Sequence, residues 1–159
     1  MTLIKSISGI RGTIGGVPEV NLTPLDIVRF TSAYGKWIKE NNKGDIKIYT
    51  GRDSRISGSM VHSLVNNTLV GIGINVVNIG VSPTPTLAIA VNSEQASGGV
   101  VLSASHNKKK WNALKLFNSS GEFINEEDGL KILKYADDLN FSYANVDQLG
   151  TIIAGDNYI

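Results

Sequence analysis

The stretch IKIYTGRDSRISG, residues 46–58, decides how the rest of the chain is read. Its first five residues set β-branched and aromatic side chains around a single lysine, the composition of a short strand buried in a sheet. Gly51-Arg52-Asp53-Ser54-Arg55 then breaks the run with a glycine and four polar residues. Beyond it, apolar spacing predicts a helix over 57–72, with Met60, Val61, Leu64, Val65, Thr68, Leu69 and Ile72 on one side. A strand that feeds a helix through a short polar loop is the repeating unit of a parallel α/β sheet. In such a sheet, ligands collect beyond the carboxyl ends of the strands.

The same alternation extends in both directions. Upstream, a helix is predicted over 23–40. Thr23 can cap it, Pro24 suits its first turn, and Asp26 sits where a capping box wants an acid. Ile27, Phe30, Tyr34, Trp37 and Ile38 form its apolar face. Downstream, a strand is predicted over 75–79 and a short helix opens at Thr84-Pro85 and runs to Val91. Further strands are predicted over 99–103 and 112–117, with a turn at Gly121. A last helix, 126–138, would bury Leu130, Leu133 and Ala136, and the strand-like TIIA follows at 151–154. The expected fold is α/β: a three-layer α/β/α domain around a mostly parallel mixed sheet, spanning 1–154, with 155–159 opening a link to a second domain.

Composition narrows the function classes. The 159 residues suffice for one core, and 42% hydrophobic with 18% charged residues is an ordinary globular balance. A net charge of +1 gives no bulk attraction to nucleic acid or to a membrane surface, so neither is expected as a partner. With no cysteine and two histidines, a zinc site is not expected. No signal-like or membrane-spanning run is present in the sequence given, and a cytoplasmic location is the expectation.

Three loops should open on one sheet edge: Gly51–Arg55, Gly80–Pro85 and Ser105–Lys108. The glycine-rich stretch Ser8-Gly9-Ile10-Arg11-Gly12 could fold against the same edge. These segments and their surroundings hold Arg11, Arg52, Arg55, Lys108, Lys109, Lys110 and Lys115, 7 of the 15 Lys and Arg residues. A basic edge suits an anionic ligand such as phosphate. Ser105-His106 lacks the Gly-x-Ser-x-Gly elbow of a serine hydrolase, which argues against acyl transfer. His62, on a predicted helix, reads as a packing or surface residue rather than a ligand.

Three motifs, in order, give the chain a resemblance to the N-terminal domain of the α-D-phosphohexomutases. They are Ser8-Gly9-Ile10-Arg11-Gly12, Gly51-Arg52-Asp53-Ser54-Arg55-Ile56-Ser57-Gly58 and Ser103-Ala104-Ser105-His106-Asn107. The resemblance implies transfer of phosphate between C1 and C6 of a hexose phosphate. It implies that Ser105 carries the phosphate and, through it, ligates Mg²⁺ together with ligands from a later domain. It also implies Lys115 as an acid/base contributor and Arg11 beside the phosphoserine. His106 would join the catalytic group, and Asn107, Arg52, Asp53 and Arg55 would support the loop. A hexose 1,6-bisphosphate would act as activator, and downstream domains of the same protein would select the sugar. The serine loop most resembles that of phosphoglucosamine mutases, with phosphomannomutases and phosphoglucomutases next. Two positions depart from the family pattern: Lys108 stands where proline is usual, and Ala113 where glycine is usual. A stand-alone phosphate-binding α/β module is the competing reading.

Overall fold

The computed structural model describes residues 1–155. Seven strands form one sheet: β1 (Ile4–Ser6), β2 (Gly9–Thr13), β3 (Lys47–Arg52), β4 (Asn75–Val81), β5 (Gly98–Leu102), β6 (Trp111–Phe117) and β7 (Ile152–Ala154). Four α-helices accompany it: α1 (Pro24–Asn41), α2 (Gly58–Ile72), α3 (Thr84–Ser93) and α4 (Glu126–Asp138). The strand order is β1-β2-β6-β5-β3-β4-β7. Strands β5, β3, β4 and β7 pair in parallel, whereas β6 runs antiparallel to both β5 and β2. The sheet is therefore mixed, as expected, and the α/β/α layering holds. Of the expected link at 155–159, only Gly155 lies within the described residues.

Helix α1 starts where its capping signals place it. The Thr23 amide donates to Asp26 Oδ2 at 2.9 Å, and the Thr23 side chain accepts from the Asp26 amide, so two orphan donors of the first turn are satisfied reciprocally. The predicted apolar face of α1 is buried in full, and it packs with α2 and α4 on one face of the sheet. Helix α3 covers the other face through Leu87, Ala90 and Val91, against Tyr49, Val77, Ile79 and Val101. Tyr34 fastens α1 to the β5–β6 seam. Its buried hydroxyl donates to the Phe117 carbonyl at 2.6 Å and accepts from the Gly99 amide at 3.0 Å. Burial drives its ionisation well above the ordinary phenol range, so the hydroxyl keeps its proton. Gly98 is required here, because a side chain would strike the Tyr34 hydroxyl.

Three details depart from the sequence reading. The glycine-rich stretch at 8–12 does bring Arg11 to the serine loop, but as a strand. It forms β2, an inner strand paired with β6, and its short apolar content hid it. Gly9 at φ +154 makes the pairing possible, since a Cβ there would run into the Leu114 carbonyl. The buried face of α2 is rotated from the predicted one: Met60 is exposed, while His62 and Asn66 are buried. On α4, Ile132 and Gly129 are buried in place of Leu130, which is 55% exposed.

The rotation of α2 has a polar cause. Thr50, fully buried on β3, donates to Asn66 Oδ1 at 2.8 Å and lies 2.9 Å from His62 Nε2. With its proton given to Asn66, the Thr50 oxygen accepts, which assigns the His62 proton to Nε2 in a neutral ring. His62 is thus a packed core histidine. Burial, with Arg52 nearby, lowers its pKa from 6.5 to about 4. The unfolded chain takes up this proton near pH 6.5 and the folded chain only near pH 4, so the contribution is full above pH 6.5 and is lost as the pH falls toward 4. At about 1.4 kcal/mol per pH unit, this amounts to roughly 2–3 kcal/mol between pH 7 and 4.5. Urea unfolding of wild type and His62→Gln at the two pH values checks it. The stability difference between them should move by that amount in favour of the variant at the lower pH, and parallel losses would refute the assignment.

Candidate active site

The serine loop leaves the sheet at the carboxyl end of β5. The Ser103 amide still donates to the Ala113 carbonyl at 3.1 Å, so the chain stays tied to β6 for one residue past the strand. It then turns sharply. The Asn107 amide donates to the Ala104 carbonyl at 3.1 Å, and the Ser105 amide to Ser103 Oγ at 3.2 Å. Ser105 sits at φ +55, in the left-handed region that favours glycine. Such a backbone costs about 1–3 kcal/mol and persists only where the surroundings fix it.

Strand alternation supplies the facing groups. Ile10 and Leu114 point into the α1/α2/α4 core with Leu102, so their neighbours Arg11, Ala113 and Lys115 emerge on the opposite face. There Lys115 Nζ donates to Ser105 Oγ at 2.7 Å. Partial burial lowers the Lys115 pKa below the ordinary lysine value. The Asp53 carboxylate offsets part of this, and the Arg55 charge adds to it. Arg11 and Lys115, Ala113 and the 103–107 loop line an open cleft of about 480 Å³. His106 is exposed at its rim and Asn107 is half-buried. Ala113 lies in regular antiparallel pairing opposite Arg11, so the missing glycine costs no backbone conformation.

Arg55 holds this arrangement from behind. Its Nε donates to Asp53 Oδ2 at 3.0 Å. Its Nη1 donates to the carbonyls of Lys108 (2.8 Å) and Trp111 (3.2 Å). Its Nη2 donates to those of Ser105 and Asn107, both at 2.8 Å. All five N–H groups of a guanidinium are thereby used. Asp53 is itself fixed by its amide, which donates to the Leu102 carbonyl at 3.0 Å. A second tie joins the same two segments: Asn112, fully buried, donates through Nδ2 to Ser57 Oγ at 2.9 Å.

The seven cations counted along one edge do not converge on one surface. Arg52 turns to the α2 side, beside Gly58, and donates to the Asp53 carbonyl at 3.3 Å. Arg55 is spent on carbonyls, and Lys108, Lys109 and Lys110 are exposed in the turn before β6. Arg11 and Lys115 are the two that line the cleft. The sequence reading missed Ser103 and Asn112 as loop supports. A buried asparagine at the head of an apolar strand was the available signal. Among the described residues no group of three or more His, Cys, Asp or Glu is placed to hold a metal ion, and the cleft lining offers no carboxylate. These residues do not by themselves fit a Mg²⁺ site.

The fold agrees with comparisons to known proteins. The family model "Phosphoglucomutase/phosphomannomutase, alpha/beta/alpha domain I" matches residues 3–142. The chain belongs to the phosphoglucomutase/phosphomannomutase family. It is 40% identical over 125 residues to a phosphoglucosamine mutase of Helicobacter acinonychis (strain Sheeba), covering 79% of this chain and 27% of that protein. It is 36% identical over 151 residues to the phosphoglucosamine mutase of Helicobacter pylori (strain P12), covering 93% and 33%. A crystal structure of a provisionally assigned phosphomannomutase from Thermus thermophilus superposes with a TM-score of 0.79 at 28% identity. The match covers 98% of this chain and 34% of that one. The chain therefore spans about a third or less of these relatives, and it corresponds to their first α/β/α domain.

The backbone at Ser105 gives a direct expectation. Ser105→Gly removes the left-handed penalty and should stabilise the chain by about 1 kcal/mol while deleting the hydroxyl. Urea unfolding measures this, and a destabilised glycine variant would show that the loop is not strained.

Proposed function

We propose that this chain is the phosphoserine domain of a phosphohexomutase that moves phosphate between C1 and C6 of a hexose phosphate. The observation that carries the reading is the 2.7 Å hydrogen bond from Lys115 Nζ to Ser105 Oγ, made at the mouth of a cation-lined cleft. A hydroxyl presented to an ammonium whose pKa is lowered can exchange a proton with it as phosphate arrives and leaves. When the phosphoserine gives its phosphoryl group to a sugar hydroxyl, the Ser105 Oγ–P bond breaks and the sugar O–P bond forms. Lys115 gives its proton to Ser105 Oγ, and the proton lost by the sugar hydroxyl restores the ammonium. The reverse transfer reloads Ser105 from the hexose 1,6-bisphosphate.

Arg11 faces the same cleft and would neutralise charge on the phosphoryl group, which phosphoryl transfer needs more than covalent help. His106 at the rim would contact substrate or phosphate. Mg²⁺, expected from the family resemblance, would meet this chain only through the phosphate on Ser105, and its other ligands would come from downstream domains.

The sugar we propose is a glucosamine phosphate, since relatives at 35–40% identity carry the name phosphoglucosamine mutase. Mannose and glucose phosphates are the second choice. Turnover would require the remaining domains, and we place the whole protein in the cytoplasm, in keeping with a chain that lacks cysteine. A non-catalytic phosphate-binding module would keep the basic cleft but has no use for a strained serine held on a lysine.

The test incubates the full-length protein with Mg²⁺ and, separately, the 1,6-bisphosphates of glucosamine, glucose and mannose, and maps protein phosphate by peptide mass. Phosphate should appear on Ser105, be absent in Ser105→Ala, and load fastest from the glucosamine donor. Lys115→Met should slow loading by about 10²–10⁴-fold, the usual scale of general acid–base help. No phosphate on Ser105 from any donor would overturn the proposal.

A further inference from the structure

In the count of cations along the edge, Arg55 is one more charge for an anionic ligand, while the family resemblance gives it only a general part in supporting the loop. Its surroundings are wrong for the first role. Four of its five donors go to neutral backbone carbonyls and the fifth to Asp53, so no N–H is left to meet a phosphate. Its side chain is 11% exposed and lies behind the loop, and Arg55 does not line the cleft. The carbonyls it gathers belong to residues 105, 107, 108 and 111, the whole turn from the serine to β6. The first is that of Ser105 itself.

We infer that Arg55 is a positioning residue. It holds Ser105 in its left-handed backbone, with Oγ on Lys115, by fixing the direction of the loop carbonyls, and its positive charge is not what the reaction uses. The inference rests on the reading of Ser105 as the residue that carries phosphate. Two neighbouring features fit it. Asp53 orients the guanidinium while cancelling its charge, and Lys108, in place of the usual proline, leaves a turn whose backbone has no ring to stiffen it. With proline absent, the clamp is the restraint that reaches furthest along the turn, and the Lys108 carbonyl is one of its four anchors.

The charge and the geometry can be separated experimentally. Lysine keeps the charge but lacks the planar fork, so Arg55→Lys should lose the positioning. In the full-length protein, the maximal rate of Ser105 loading from hexose 1,6-bisphosphate should fall about 100-fold in Arg55→Lys, the scale expected when a reacting group is displaced by about 1 Å. The donor concentration giving half-maximal rate should stay at the wild-type value. Added guanidinium chloride, below denaturing concentration, should restore much of the rate to Arg55→Ala and none to Arg55→Lys. Amide hydrogen exchange at Asn107 and Trp111 should accelerate in both variants while β3 and β5 stay protected.

Loading by Arg55→Lys at the wild-type rate, or a loss confined to donor affinity, would overturn the inference. If a variant does not fold, guanidinium recovery of the folded, loading-competent Arg55→Ala protein decides the matter, and failure to recover counts against the clamp. If wild type itself takes no phosphate, the functional reading falls. The exchange data then still decide the clamp: unchanged protection at Asn107 and Trp111 would refute it.

Discussion

One guanidinium group organises the candidate site. A buried cation must find partners for every donor, and Arg55 finds them in Asp53 and in four carbonyls of a single turn. Hydrogen bonds to a charged group contribute about 1.5–3 kcal/mol each, and the left-handed serine costs about 1–3 kcal/mol. Even a discounted sum over five bonds exceeds that penalty, so the strained conformation can be the resting one. Other hydrogen bonds of the turn each fix one point of it: Asn107 to Ala104, Trp111 to Lys108, Ile14 to Lys110 and Ser105 to Ser103 Oγ, whereas Arg55 reaches four of its carbonyls at once. The protein's own hydrogen bonds are therefore enough to hold Ser105 Oγ on Lys115 Nζ.

The sheet makes this local device useful. Because β6 runs antiparallel between β5 and β2, Lys115 lies opposite Val101 on the same face as Ala113, and its side chain reaches along that face to Ser105. Because β2 pairs with β6 so that Arg11 opposes Ala113, the second cation lands on the same face. Neither cation is near Ser105 in sequence. A one-residue slip of β2 would send Arg11 into the core and bring Ile10 out, and a slip of β6 would do the same to Lys115 and Leu114, so core burial and site assembly enforce one register.

The elements with strong local signals were legible in the sequence. Helix α1, with its capping box and apolar stripe, and the strand–loop–helix unit from β3 to α2 follow from spacing and caps alone. What stayed hidden depends on partners distant in the chain. β2 is five residues with two glycines, and its strand character exists only through β6. The burial of His62 and Asn66 depends on Thr50, and no periodicity reports a hydroxyl on a neighbouring strand. For the site, the motifs marked Ser105, Arg11 and the Arg52–Arg55 loop, and the resemblance pointed to Lys115. They did not show that Arg52 faces away from the cleft or that Arg55 is consumed by carbonyls. Counting cations along an edge cannot distinguish a charge offered to a ligand from one that holds the backbone together.

The central claim is that Ser105 rests, without ligand, in a left-handed backbone with its hydroxyl on Lys115. The most direct measurement is NMR of the chain itself: the amide–Hα coupling and local nuclear Overhauser contacts of Ser105, with contacts from the Lys115 side-chain end. The expected result is a single conformer with positive φ at Ser105 and the Lys115 terminus within contact of its side chain. An extended or averaged Ser105, with Lys115 free in solvent, would contradict it.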